Sequence, residues 1–270
     1  MANKLSTDVH SKPLKGPIGE LTFEARALLF AELSQIAYFS GPGARRFGFT
    51  TTEFYDIDGA QSYRFQNKYD IVIACRGTQP TEFNDIKADL KAFPVKAETI
   101  SRVHRGFKAE VDKLWPKIEE DLAREADDRA VWFCGHSLGG AMATIVSSRC
   151  RGSDIVPDPR ELHTFGSPRV GWGGYVNHHP FTHYRWVNNN DIVTRVPFWI
   201  LGYKHHGIEK YFNTWGNHRK MSYWQRCKDR VRGMWRGLKA GKIDNFTDHS
   251  IAEYAKHCKN LRDKIEIKQI

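Results

Sequence analysis

Residues 131–149 constrain this chain more than any other stretch. An apolar run, Val131-Trp132-Phe133-Cys134, leads into Gly135-His136-Ser137-Leu138-Gly139-Gly140, and Ala141-Met142-Ala143-Thr144-Ile145-Val146 follows at once. The first run reads as a buried strand and the last as a helix. A serine between them sits on a turn so sharp that only small residues on either side let the backbone pass. At ordinary glycine abundance the bare G-x-S-x-G pattern arises by chance in roughly one chain in ten of this length, so the flanking strand and helix carry the specificity.

The other periodicities agree with that turn. Apolar spacing over 21–39 is helical, behind a Gly16-Pro17 breaker. From residue 51 the period changes to two. The segments 51–57, 61–66 and 69–75 read as strands, the first two joined by Asp58-Gly59, a pair favoured in tight hairpins. Further on, 130–134, 161–165 and 182–187 read as strands and 138–149 as a helix. Strands alternating with helices predict an α/β fold: a mostly parallel central sheet flanked by helices, with antiparallel strands at its N-terminal side. Sheets of this kind hold their chemistry at the carboxyl ends of the strands. With no repeat, low-complexity run or linker, a single domain over 1–270 is expected.

A serine hydroxyl is a poor nucleophile until a histidine takes its proton, and that histidine needs a carboxylate to fix its tautomer. In this class of fold the acid and then the base follow the serine along the chain. Asp191 is the best acid, lying just past the strand 182–187 in the polar loop Asn188-Asn189-Asn190-Asp191. Asp154 and Asp158 come too soon after the serine, and Asp244 and Asp248 crowd the last candidate base. Five histidines follow Asp191: His205, His206, His218, His249 and His257. His249 opens a helix, where a side chain can project into a cleft, whereas His257 lies two turns inside it. His205 and His206 remain rivals on position alone.

Composition excludes several classes. The chain is 40% hydrophobic and 27% charged, and no window approaches the ~18 apolar residues of a membrane span. Its first residues lack the apolar core of a signal peptide, so a cytoplasmic location is expected, with non-classical export left open. Five dispersed cysteines without CxxC spacing predict neither a disulfide framework nor a zinc site, and no metal or cofactor is expected. The net charge of +10 is local: residues 210–242 hold ten basic side chains against the single acid Asp229, leaving the rest of the chain nearly neutral. A uniformly basic nucleic-acid binder would not be built this way.

Within the segment 210–245, Trp224, Cys227, Val231, Met234, Trp235 and Leu238 recur at helical spacing, with Arg226, Arg230, Arg232 and Lys239 elsewhere around the wheel. That is the composition of an interfacial helix, with Trp224, Arg226, Arg230, Met234 and Trp235 as candidates to meet an anionic lipid surface. The alternative is a surface helix that packs its apolar stripe on the core.

These residues, in this order, resemble the class 3 (fungal-type) triacylglycerol lipases of the α/β-hydrolase superfamily. The resemblance runs from Cys75-Arg76-Gly77-Thr78, similar to the family's oxyanion segment, through His104-Arg105-Gly106-Phe107 to the GHSLGG of 135–140. It continues through Phe165-Gly166-Ser167-Pro168-Arg169-Val170-Gly171 and Val187-Asn188 with Asp191-Ile192-Val193, and closes on Asp248-His249 with Tyr254 behind. It implies Ser137 as nucleophile, Asp191 as acid and His249 as base, with His205 structural. It also implies an oxyanion hole from the backbone N–H groups of Thr78 and Leu138. The segment 79–102 occupies the place of a lid, yet 83–90 is polar, so a strongly hydrophobic lid is not expected. The implied activity is serine-dependent hydrolysis of acylglycerol-type carboxylic esters. A phospholipase A-type hydrolase of anionic phospholipids and a catalytically silent lipase-like interaction protein are the alternatives.

Overall fold

Thr22 caps the first helix, α1 (Phe23–Ile36), by accepting a hydrogen bond from the Ala25 N–H at 3.3 Å. From Ala27 to Ile36 every side chain of α1 is buried, so this helix lies beneath the surface rather than along it. The computed structural model describes residues 9–39, 41–77, 93–178, 180–239 and 248–268.

Strands β1 (Thr51–Ile57) and β2 (Ala60–Gln66) form the expected hairpin. Asp58 and Gly59 both have positive φ, 50° and 81°, as a tight turn matching strand twist requires. The third strand, β3 (Asp70–Cys75), pairs antiparallel with β2. Two short strands follow, β4 (Pro94–Lys96) and β5 (Arg102–His104), then helix α2 (Arg105–Glu125). Strand β6 (Ala130–His136) lies parallel to β3 and runs directly into α3 (Leu138–Gly152). Then come β7 (Pro159–Phe165), β8 (Gly171–Trp172), the single turn α4 (Gly173–Val176), β9 (His183–Asn188), β10 (Tyr203–Lys204) and β11 (Ile208–Phe212). Helices α5 (Tyr223–Lys239) and α6 (Ile251–Lys268) complete the described chain.

The central sheet has the order β1-β2-β3-β6-β7-β9-β11, antiparallel up to β3 and parallel from there on. Alternation along its strands divides the core in two. Val72, Ala74, Trp132 and Cys134 face a layer with α1 and α6, while Ile71, Ile73, Val131 and Phe133 face α2 and α3. A second, small antiparallel sheet, β10-β8-β5-β4, lies apart from the main one.

Three sequence expectations change. The reading placed no helix between β3 and β6, yet α2 spans 21 residues and buries Phe107, Val111, Leu114, Ile118 and Leu122 at helical spacing. Pro116 lies within it on an exposed position, where the carbonyl it leaves unbonded can meet water. The edge strand β11 was also unplaced. It takes Lys210 out of the supposed basic helix: its ammonium lies over the rings of Phe23 and Tyr184, at 4.6 and 5.1 Å. Among the described residues of the segment 210–245, helical structure is therefore confined to α5, and 240–247 lie outside the described residues. Of the lid-like segment 79–102, residues 79–92 lie outside the described residues as well, while its end forms β4 and the start of β5.

Candidate active site

Ser137 lies where β6 becomes α3, at φ 58° and ψ −131°, a conformation that costs a non-glycine residue about 1–3 kcal/mol. The turn holds because the chain packs closely around it. A Cβ on Gly139 would stand 2.2 Å from the Cys75 carbonyl oxygen, so no larger residue fits between this turn and the end of β3. The strain lifts the serine side chain off the sheet and points it at the loops beyond the strand ends.

His249, two residues before α6, meets it there. Its Nε2 lies 2.8 Å from Ser137 Oγ, and its Nδ1 lies 3.0 and 2.9 Å from the two carboxylate oxygens of Asp191. A carboxylate only accepts, so Nδ1–H donates to Asp191 and Nε2 is left with its lone pair toward the serine hydroxyl, the tautomer a general base needs. All three residues are buried, Asp191 completely.

Asp191 is held by more than the histidine. The Val193 N–H donates to Oδ1 at 2.9 Å and the Tyr254 hydroxyl to Oδ2 at 2.6 Å. Tyr254 also accepts from the Asn188 N–H at 2.9 Å, and its own ionisation is pushed far up by burial and by the adjacent Asp191. Asn188 Nδ2 donates to the Asp248 carbonyl at 3.0 Å, and the Asn190 N–H to the Asp248 carboxylate at 3.2 Å. The acid loop and the base loop, some sixty residues apart in sequence, are thus tied by main-chain and side-chain bonds on both sides of the Asp191–His249 pair.

The sequence reading assigned no role to His136 or Tyr38. His136 Nε2 lies 2.6 Å from the backbone carbonyl of His249, which can only accept, so Nε2 carries the proton. Nδ1 is then an acceptor and takes the Tyr38 hydroxyl at 2.9 Å. Burial and the neighbouring His249 hold the His136 pKa well below the usual histidine value, which keeps the ring neutral beside the site. Tyr38 also receives a hydrogen bond from the Gly77 backbone, at the end of β3. One relay therefore joins the chain just past β3, the chain just past α1, the residue before Ser137 and the backbone of His249. The signal available in sequence was the ring-bearing residue inside the glycine-rich turn.

The rival histidines are placed elsewhere. His205 Nε2 donates to the Thr194 carbonyl at 2.8 Å, and His206 pairs with His183 through their Nδ1 atoms at 2.9 Å. His257 lies within α6, near Phe212. Leu138 begins α3, so its N–H has no partner within the helix and lies at the positive end of the helix dipole. Thr78 lies outside the described residues. Among the described residues no group of three or more His, Cys, Asp or Glu side chains is arranged to hold a metal ion, and no helix is long and apolar enough to cross a membrane.

The interface candidates on α5 divide. Trp224 and Trp235 are 75% and 58% exposed, so these two rings are not packed on the core. Arg226, by contrast, pairs with Glu209 and lies over the Tyr211 ring at 5.4 Å, facing inward. The Arg230 backbone carbonyl accepts from Asn190 Nδ2 at 3.1 Å, which brings α5 against the Asn188–Asp191 loop, where burial and then the nearby Arg230 lower the pKa of Arg195. The side chain of Met234 lies outside the described residues.

A sheet of this order, with a serine on the strand-to-helix turn and its acid and base on later loops, defines an α/β-hydrolase fold. The Lipase (class 3) family model matches residues 53–201, more than half of the chain, and the chain belongs to that family. Over 190 residues it is 30% identical to the toxin TseL of Vibrio cholerae, covering 54% of this chain and 29% of the toxin. Over 109 residues it is 37% identical to secreted mono- and diacylglycerol lipase 1 of Fusarium solani, covering 38% of this chain and 32% of the lipase. The matched stretch thus spans under a third of the length of either relative. The solved structure of the Rhizomucor miehei triacylglyceride lipase superposes with a TM-score of 0.60 at 22% identity, over 72% of this chain and 80% of that one.

Proposed function

We propose that this protein hydrolyses carboxylic esters of the acylglycerol type through an acyl-enzyme on Ser137. The observation that carries the reading is the hydrogen-bond chain from Ser137 Oγ through His249 to Asp191, in a chain of the class 3 lipase family. In the first step His249 Nε2 takes the hydroxyl proton as Oγ attacks the ester carbonyl. The oxyanion that forms is met by the N–H of Leu138, with Thr78 as the second expected donor; one such donor is typically worth ~3 kcal/mol. The imidazolium returns its proton to the alkoxide, the alcohol leaves, and the acyl group stays on Ser137. Water then attacks the acyl carbonyl, His249 takes its proton, and the acid is released with Ser137 restored.

Approach to the substrate surface is assigned to α5, whose outward side carries Trp224 and Trp235 with the exposed cations Lys228 and Arg232. Ser137→Ala is expected to leave less than about a thousandth of the wild-type turnover of p-nitrophenyl esters, and to abolish labelling by a fluorophosphonate probe. Retention of either would overturn the assignment. A panel of short and long p-nitrophenyl esters, triacylglycerol and anionic phospholipid distinguishes acylglycerol from phospholipid hydrolysis.

A further inference from the structure

We infer that the turn Phe198-Trp199-Ile200-Leu201 is a wedge that inserts into the surface of a phospholipid bilayer, separately from α5. These four consecutive side chains are 59%, 72%, 70% and 49% exposed. Single exposed apolar residues are ordinary, but a contiguous run of this kind marks a surface meant to be covered.

The turn cannot fold its side chains back onto the protein, because both ends are fastened. Arg169 donates from its backbone to the Val196 carbonyl at 2.8 Å, and from its guanidinium to the Pro197 carbonyl at 2.9 Å and to that of Arg195. Within the turn, Leu201 N–H donates to Phe198 and Gly202 N–H to Trp199, each at 3.0 Å. Gly202, at φ 85°, then seats the chain against the Trp172 indole, where a Cβ would come within 3.1 Å of the ring nitrogen. The side chains are held outward on a rigid base, and they stay exposed against the described residues.

The surroundings favour lipid as that occupant. No acid occurs between Asp191 and Glu209, while Lys204 follows the turn in sequence. Arg102 lies over the Trp172 ring at 5.3 Å, beside the seat of Gly202, and Lys204 is exposed two residues beyond that seat. Among the described residues neither Arg102 nor Lys204 forms an ion pair. An apolar tip with an indole, rimmed by cations, matches the acyl and headgroup layers of an anionic membrane. A second copy of this chain would bring like charges together, and four residues fall well short of the roughly 20–30 residues a side of a stable protein interface.

The turn begins seven residues after Asp191, and the His205–Thr194 and Val193–Asp191 bonds tie the intervening backbone to the acid. Insertion would therefore orient the site relative to the membrane. The inference rests on the lipid-ester reading for its purpose, but its test does not need turnover.

Sedimentation with phosphatidylcholine vesicles, with and without phosphatidylglycerol, separates insertion from charge attraction when repeated at about 0.5 M NaCl, where exposed charges are screened. In a Ser137→Ala background the chain is expected to stay bound to anionic vesicles at high salt. Adding Trp199→Ala and Ile200→Ser should lower that salt-resistant partitioning at least about tenfold. The same pair in the active enzyme should leave soluble p-nitrophenyl butyrate turnover unchanged, and Lys228→Gln with Arg232→Gln should weaken binding chiefly at low salt. Unchanged high-salt binding by the wedge variant, no vesicle binding by the parent, or self-association that the wedge substitutions abolish would overturn the proposal. So would a parallel fall in soluble-ester turnover. Inactivity of the parent enzyme with vesicle binding intact would sink the proposed function and leave the wedge standing.

Discussion

At the residue scale the site depends on two side chains that do not belong to the triad. His136 holds the backbone of His249 through its Nε2–H, and Tyr38 fixes the ring that does so. Replacing His136 with Phe keeps the bulk and removes the bond. We expect kcat to fall about tenfold with KM little changed, because the base is misaligned while substrate binding is untouched. Tyr38→Phe should give a smaller loss in the same direction. Steady-state kinetics on a soluble ester decides this, and unchanged kcat in both variants would count against the relay. Tyr254→Phe acts on the acid: Asp191 loses a donor, and the buried Asn188 N–H loses its acceptor, which should cost about 1–3 kcal/mol in the urea midpoint. Ser137 and Asp191 were legible because a strand, a turn and a polar loop announce themselves locally. The choice of His249 over His205 was not, because position left both open; it took a resemblance, and in space the distances separate the two.

At the scale of elements, the described side chains of α5 depart from the usual arrangement of a surface helix. Polar groups dock it. Asp229 accepts from the Tyr211 hydroxyl and from the Thr214 N–H, both at 3.0 Å, and Gly233 lies so close to the acid loop that a Cβ would come within 2.2 Å of Asn189 Nδ2. Trp224, Val231 and Trp235 are left outside. Asp229→Ala would strand the Thr214 N–H, at about 1–3 kcal/mol for an unsatisfied buried group, leave the Tyr211 hydroxyl only Asn189 Oδ1 at 3.3 Å, and loosen α5 from the Asn189-Asn190 turn. Faster limited proteolysis within α5 and a lower melting temperature are expected; a variant as resistant as the parent would refute the docking role of Asp229. The periodicity of α5 was readable, but which side faced inward was not, since a hydrophobic stripe alone implies burial. The β1–β2 hairpin was readable because Asp58-Gly59 sets its own geometry. Strand β11 was missed because a five-residue edge strand gains its identity from its neighbour β9.

For the whole molecule, buried histidines set the response to acid. His104 and His257 are pushed down to about 4 by burial, His136, His183 and His205 fall well below the ordinary value, and His163 is lowered as well. In the unfolded chain each titrates near 6.5, so below that pH the unfolded state binds more protons and stability rises with pH. Their contribution is fully present above about pH 6.5 and is lost as pH falls toward 4. Asp70 and Asp248 act the other way, since burial raises both and favours their protonated forms, but they are outnumbered. Melting followed by calorimetry should show a drop of about 5 °C or more between pH 7 and pH 4.5. A flat profile over that range would contradict the assignment of neutral, buried histidines.

Local chemistry decided much of this protein before any folding was considered. The turn at Ser137, the hairpin, the two-residue period of the strands and the concentration of the net positive charge in 210–242 all follow from neighbours along the chain, because turn sterics and side-chain alternation act over a few residues. The meeting of Ser137 with His249 and Asp191, the outward placing of Trp224 and Trp235, the relay through His136 and the locked apolar turn at 198–201 come from packing. Each depends on groups tens to more than a hundred residues apart meeting at hydrogen-bond distance, and that is a property of the sheet order and the loops it brings together.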